Sequence, residues 1–503
     1  MNSLSDVPAV TFVPDLLYAG GRFVRGHALV CDAVGRIIAV TPLAQSSGGE
    51  EFFRTGVGEG AFTATTFAGR VERLPGRALL PGMVNAHSHA FQRVIRGRTE
   101  HRAAARDSFW TWREMMYSAA ARLTPEDLYD ASRMAFLEMT LGGVTTVGEF
   151  HYLHRTAEGA EYDDPNLLAR EVVRAGRDCG LRVALLRVAY ARAGHQRPAD
   201  ERQRRFIEPD PETYLRHTEA LAGTLAREAE DAGGPPEAWV GCAPHSVRAV
   251  PFEYLKEVGE FAAARSLPVH MHVAEQPAEV SASVEETGLT PVALAAAAGL
   301  VGERFTGVHA VHVTPEEVAL LGGAAANVCA CPTTERNLGD GVVPADALLE
   351  AGVTLSLGTD SHAQIDLLED ARELEYHLRL QRLERNVLAR PKEEAGDDAR
   401  PDLSELAARL FACATAGGAR GLGLDAGELA PGRAADFFTV DLSDPTVAGA
   451  GETDLLPAVV FSLSRAAVCD TYVGARAVVA SSRHPRQEEI IARFNALQRR
   501  LWA

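Results

Sequence analysis

Residues 79–93 read LLPGMVNAHSHAFQR, an apolar run that ends in two histidines one residue apart, His87 and His89. Along a β-strand, side chains at i and i+2 leave the same face, so both imidazoles project from one side of the strand end. Two such nitrogens clamp a borderline divalent ion such as zinc, and an ion with an open position generates hydroxide near neutral pH. By itself the pair fits equally two histidines that only hydrogen-bond at a strand end. Three further runs favour the metal. One reaches His270, His272 and Glu275, a second His309 and His312, and a third Thr359, Asp360, Ser361 and His362. Gathered around one point, these imidazoles and carboxylates suit a catalytic zinc with an activated water. A packed core would not carry so many polar groups at strand ends without a metal or a substrate to satisfy them.

Gathering them requires a particular fold. Eight mostly apolar strand-like runs recur, at 79–89, 144–150, 182–188, 239–245, 268–275, 307–312, 325–332 and 354–361. Helical stretches fill the gaps, and those at 125–141, 251–264 and 315–321 each open with Thr-Pro or Val-Pro, a helix start signal. Apolar strands alternating with helices predict a parallel sheet covered on its outer face, hence an α/β fold built as a (β/α)8 TIM-like barrel. Active sites in such barrels lie at the C-terminal ends of the strands, where the polar residues above fall. Short β runs at 16–42 and 425–479 predict one small β-sandwich domain assembled from both chain ends. The expected division is 1–75 with 425–482 for that domain, 76–424 for the barrel and 483–503 for a C-terminal helix. Residues 46–69, rich in Gly, Thr and Ala, read as a long loop or a partly disordered stretch. The charged runs 192–210 and 389–401 read as solvated loops, the first placed where a lid would be.

Composition narrows the class. Hydrophobic residues make up 46% and charged ones 23% of the 503, the balance of a globular chain. A net charge of −18 argues against nucleic acid as a partner. No apolar run is long enough to span a bilayer, and the N-terminus lacks a basic region followed by an apolar one, so a cytoplasmic protein with no membrane partner is expected. Seven scattered cysteines read as buried free thiols; Cys329 and Cys331 alternate on one strand face but lack the second pair a structural zinc site needs. Lys256 and Lys392 are the only lysines, and neither sits at a strand end, which disfavours a binuclear site bridged by a carboxylated lysine.

The set of HxH, a strand-five His, a strand-six His and a strand-eight Asp resembles the amidohydrolase superfamily, and HxxE on strand five is similar to its one-metal deaminase branch. HSHAFQR, SFWTWREMMY, EFHYLH, PHSVR, HVAEQPAEV, TERNLGDG and GTDSH resemble the formimidoylglutamate deiminase family, over about 79–386 and the terminal β segments. The resemblance implies one zinc ion per chain, held by His87, His89, His272 and Asp360. It implies that Glu275 moves protons between water and the leaving nitrogen, that His309 orients and polarises the water, and that Asp360 can accept its proton. The implied reaction is hydrolysis of N-formimino-L-glutamate to N-formyl-L-glutamate and ammonia, in histidine degradation. Arg113, Tyr152 and Arg248 match positions that contact the glutamate part of this small dianionic substrate, with Gln92 and His245 adding hydrogen bonds. A forked guanidinium suits a carboxylate where lysine offers only a point charge. Without the resemblance, each arginine reads as an exposed surface charge. His270 and His312 read as supporting or core histidines, and His362 is unassigned. A homodimer is expected because dimers are common among such barrels. Arg336 departs from the pattern, standing where a small residue is expected. The alternatives are a mononuclear deaminase acting on an aminated heterocycle such as guanine or a triazine, and a non-catalytic barrel.

Overall fold

The structure is a computed structural model that describes residues 8–45, 51–55, 63–66, 69–102, 108–390 and 402–503. Its centre is a barrel of eight parallel strands, β1 (Met83–Ser88), β2 (Val144–His151), β3 (Arg182–Ala189), β4 (Ala238–Pro244), β5 (Val269–Val273), β6 (Phe305–His309), β7 (Asn327–Ala330) and β8 (Thr354–Leu357), hydrogen-bonded in chain order. Each of the eight regions expected as strands holds one of these barrel strands. Nearly every strand residue is buried, because helices cover the outer face and side chains fill the inner one. A parallel bridge between Ser88 and Asp360 closes β1 onto the chain after β8. Asp360 N donates to His87 O and His89 N to Asp360 O, both at 3.1 Å, so the seam of the barrel runs between the HxH pair and the aspartate.

The second layer is a ten-stranded mixed sheet drawn from both chain ends. Its core is aromatic: Phe12, from the strand Pro8–Ala19, packs edge-on against Phe437 at 4.8 Å and Tyr472 at 5.1 Å. Run 79–89, expected as one strand, is two. Arg70–Pro81 belongs to the mixed sheet and β1 to the barrel, with Gly82 between them. A Cβ at Gly82 would lie 2.3 Å from Thr145 Oγ1, so only glycine lets the chain pass from one sheet to the other there. Residues 46–69 depart from the loop expectation: Glu51–Thr55 and Thr63–Thr66 pair as antiparallel strands at the sheet edge. The rest of that stretch, apart from Gly69, and nearly all of 389–401 lie outside the described residues.

Between β1 and β2 stand two helices, α1 (Phe109–Arg122) and α2 (Pro125–Leu141). Thr124 caps α2 by accepting from Asp127 N, and Thr314 caps Pro315–Gly323 the same way through Glu317 N, which is the physical content of the Thr-Pro signal. The C-terminal helix Gln487–Trp502 lies on α2, with Arg493 2.8 Å from Asp130.

Candidate active site

His87 and His89 leave the end of β1, His272 leaves β5 and Asp360 follows β8, and their ligand atoms all lie within 4.8 Å of one another. His87 Nε2 is 3.2 Å from His89 Nε2 and 3.4 Å from Asp360 Oδ1; His89 Nε2 is 3.2 Å from the same oxygen. A tetrahedral ion with bonds of about 2.0–2.3 Å spaces its ligand atoms roughly 3.3–3.7 Å apart, so the set has the right reach. The imidazoles are also turned correctly. His89 Nδ1 donates to Phe150 O and His272 Nδ1 to His245 O, each at 2.9 Å. A carbonyl can only accept, so the proton sits on Nδ1 and the Nε2 lone pair faces the centre. Burial pushes the His87 imidazole down to about 3 and holds His272 well below the usual range, which keeps both neutral as ligands must be. Burial alone would raise Asp360, yet the His87 and His89 imidazoles hold its carboxyl well below the usual carboxylate range. Three neutral nitrogens and one carboxylate fit a borderline divalent ion.

Glu275 and His309 stand beside this set. His309 Nδ1 is 3.3 Å from Glu335 Oε1, while its Nε2 lies 3.7 Å from Glu275 Oε1 and 3.8 Å from Asp360 Oδ2. Burial would drive the proton off His309, but Glu275, the Glu335 hydrogen bond and Asp360 together hold the imidazole well above its ordinary value. Burial raises the Glu275 carboxyl. Two of these residues adopt left-handed backbone, His309 at φ 71° and Asp360 at φ 42°, as do Ala274 and Ala310. Such conformations cost about 1–3 kcal/mol each and persist where packing over-determines them, typically at functional sites.

Sequence reasoning overlooked three supports. Glu335, on the short helix Pro332–Leu338 after β7, holds both His309 and the Cys331 amide, the latter at 2.8 Å. Its only signal was its place in TERNLGDG. Glu149 accepts from Ser88 Oγ at 2.6 Å and Ala90 N at 2.7 Å, which pins the backbone on both sides of His89. Burial raises this carboxyl to about 7. His362, unassigned from sequence, ties Ser88 Oγ (3.1 Å) to Thr359 Oγ1 (3.0 Å). His270 donates to Gly421 O and His312 to Asp340 O, so both are structural.

Over the metal-ligand set opens a pocket lined by Gln92, Arg113, Tyr152, His245 and Arg248, with Glu275, His309 and Asp360 at its floor. The expected site residues are therefore brought together. Neither arginine is an ordinary surface charge. Arg113 is 9% exposed, stacks 5.0 Å from the Tyr117 ring and donates to Tyr190 OH at 3.3 Å. Arg248 Nη1 is buried without a hydrogen-bond partner. Among the described residues neither guanidinium pairs with a carboxylate. Gln92 donates to Tyr152 OH at 2.9 Å. The aromatic walls Phe109, Trp112, Tyr117, Tyr190 and Phe206 were not singled out from sequence, although three of them lie in SFWTWREMMY.

The run 192–210 is not a solvated loop. Its hairpin, Arg192–Gly194 with Arg197–Pro198, is fastened by Arg192 to Glu286 at 2.9 Å. Beyond it Gln203 donates to Tyr190 OH at 2.8 Å and Tyr117 OH at 3.0 Å, and Phe206 reaches the pocket wall. Polar spacing hid this, because Gln203, Arg205 and Phe206 are buried among the surrounding charges. Arg336 is exposed and pairs with Glu373 at 2.7 Å, so it leaves the site undisturbed.

Comparison with known proteins agrees with this architecture. The chain is 40% identical to a formimidoylglutamate deiminase of Pseudomonas aeruginosa over 84% of its own length and 89% of that protein's. It is 32% identical to a 5-methylthioadenosine/S-adenosylhomocysteine deaminase of Halobacterium salinarum, over 74% of each. The crystal structure of an amidohydrolase from Brucella melitensis superposes with a TM-score of 0.82 at 32% identity, covering 98% of this chain and all of that one. The Amidohydrolase family model matches residues 78–478, through the barrel and into the C-terminal strands of the mixed sheet, and the chain belongs to that family.

Proposed function

We propose that this protein hydrolyses the formimino group of N-formimino-L-glutamate to N-formyl-L-glutamate and ammonia, a step of histidine degradation, with zinc held by His87, His89, His272 and Asp360. The observation that carries the proposal is the pair of guanidiniums, Arg113 and Arg248, that line the pocket without carboxylate partners. A buried cation calls for a counter-ion, and a substrate with two carboxylates supplies one to each fork. The 40% identical relative is named for the same activity.

The ion, when bound, supplies Lewis acidity and lowers the pKa of a water at the reaction centre to about 7. The chain's own residues do the rest. Glu275, half-buried at the pocket floor, takes the proton of the attacking water. His309 orients that water through Nε2, its ring held by Glu335. Attack on the formimino carbon gives a tetrahedral centre, and Glu275 returns its proton to the nitrogen that leaves as ammonia. Arg113 and Arg248 grip the two carboxylates, so the reacting carbon is brought to the floor in one orientation. Gln92, Tyr152 and His245 complete the wall with hydrogen bonds.

Six aromatic side chains along the wall favour a second reading, in which a flat aminated heterocycle stacks in the pocket. A neutral heterocycle would leave both guanidiniums unpaired, which places it second. The deciding measurement is ammonia release from N-formimino-L-glutamate, N-formimino-L-aspartate and guanine, with bound metal determined on the same sample. Turnover of guanine and none of the glutamate derivative would overturn the proposal.

A further inference from the structure

Beside the first ligand set, and sharing Asp360 with it, lies a second group of donors that the reaction above does not use as a set. His309, Cys331 and Asp360 are all buried, and their ligand atoms lie within 4.8 Å of one another. The Asp360 carboxylate is divided between the two groups. Oδ1 is the oxygen near His87 and His89, while Oδ2 faces His309 Nε2 at 3.8 Å. A carboxylate turned this way can bridge two cations. His309 spends Nδ1 on Glu335, so Nε2 is the nitrogen a cation would take, displacing the proton that the neighbouring carboxylates hold on the ring. Cys331 is held in register by the same carboxylate, which accepts from its amide at 2.8 Å. Glu275 Oε1 lies 3.7 Å from His309 Nε2, beside the three-donor set.

Donor chemistry points the same way. A thiolate beside imidazole and carboxylate selects zinc or cadmium over magnesium or calcium.

We infer that His309, Cys331 and Asp360, with Glu275 alongside, form a second and weaker site for a thiophilic divalent cation, and that filling this site stops catalysis. The inference rests on the reading of the first site given above. Binding releases the Cys331 thiol proton and the His309 ring proton to solvent and involves no oxidation. It takes His309 Nε2, the atom that would orient the water, and the second Asp360 oxygen, so excess zinc or cadmium acts as an inhibitor.

The test uses the whole enzyme carrying one equivalent of metal. It is equilibrated with rising cadmium, and bound metal per chain, the ultraviolet thiolate-to-cadmium charge-transfer absorption and ammonia release are followed together. The expected result is a second equivalent, the absorption band, and an activity loss of at least ~10-fold. Cys331→Ser and Cys331→Ala should keep the first equivalent and the basal rate, show no band, and need at least ~10-fold more cadmium for the same inhibition. Binding that stops at one equivalent in the parent enzyme, or a band that survives in both variants, overturns the second site. An enzyme that takes up no metal at any concentration overturns the first site as well, which separates the two failures.

Discussion

The proposed function gives Glu275 and Arg248 different kinds of work, and substitution separates them. On the proposed mechanism Glu275 meets the reacting atoms and lies outside the set of His87, His89, His272 and Asp360. Glu275→Gln keeps its shape and removes its base, so zinc content should stay at the parent level while kcat falls by about 10²–10⁴. Unimpaired ammonia release from that variant would remove Glu275 from the mechanism. Arg248 grips rather than reacts. Arg248→Lys keeps the charge but loses the fork, and KM for N-formimino-L-glutamate should rise about tenfold or more with kcat less affected. An unchanged KM would free Arg248 of any role in substrate binding.

At the scale of elements, the barrel strands present the ligands and the segments after them shape the pocket. The run 201–206 is the clearest case, because Gln203 joins Tyr190 to Tyr117, the pair on which Arg113 rests. Losing one such net hydrogen bond costs about 1 kcal/mol. Gln203→Ala should therefore raise KM about fivefold and leave the metal content unchanged, read by steady-state kinetics beside metal analysis. A fall in kcat at constant KM would mean that this segment serves the chemistry instead of the seat. Glu149 acts on the element below, since it holds the turn that begins at Ala90 and so aims His89.

Across the whole molecule, two buried charge clusters bear on stability, and one of them joins the layers. Arg182, at the start of β3, grips Asp436 of the mixed sheet through two hydrogen bonds of 2.7 and 3.0 Å, both residues nearly fully buried. Stripping one partner from a buried pair costs about 3–5 kcal/mol, so Asp436→Ala should lower the denaturation midpoint markedly, whereas a surface aspartate variant should not. The second cluster sets an acid limit. Burial would raise Glu208, but His217 at 3.2 Å and Arg187 at 3.0 Å hold its carboxyl far below the usual range. A folded-state value below the unfolded one, about 4.3 for Glu, contributes stability that is fully present above that pH and is lost as pH falls through the folded value. Unfolding free energy should therefore decline below about pH 4, and Glu208→Gln should flatten that decline. An identical acid slope in the variant would assign the decline to other groups.

Much of the site was legible in the sequence because it sits where strands end. Period-two spacing put His87 and His89 on one face, and the recurrence of apolar runs made the barrel the frame that would gather His272, His309 and Asp360. What the linear order could not convey was contact between segments far apart in the chain. Glu335 meets His309 only because β6 and β7 are neighbours, and Gln203 reaches Tyr117 only because a strongly charged run folds back over the barrel mouth. The pairing of Asp360 with the HxH backbone, the different neighbours of its two oxygens, and the lack of an ion pair to either Arg113 or Arg248 among the described residues are likewise tertiary facts. Residue type and spacing determine which groups are available for chemistry; closure of the barrel decides which face one another, because distances of 3 to 4 Å between them depend on strands brought together by packing.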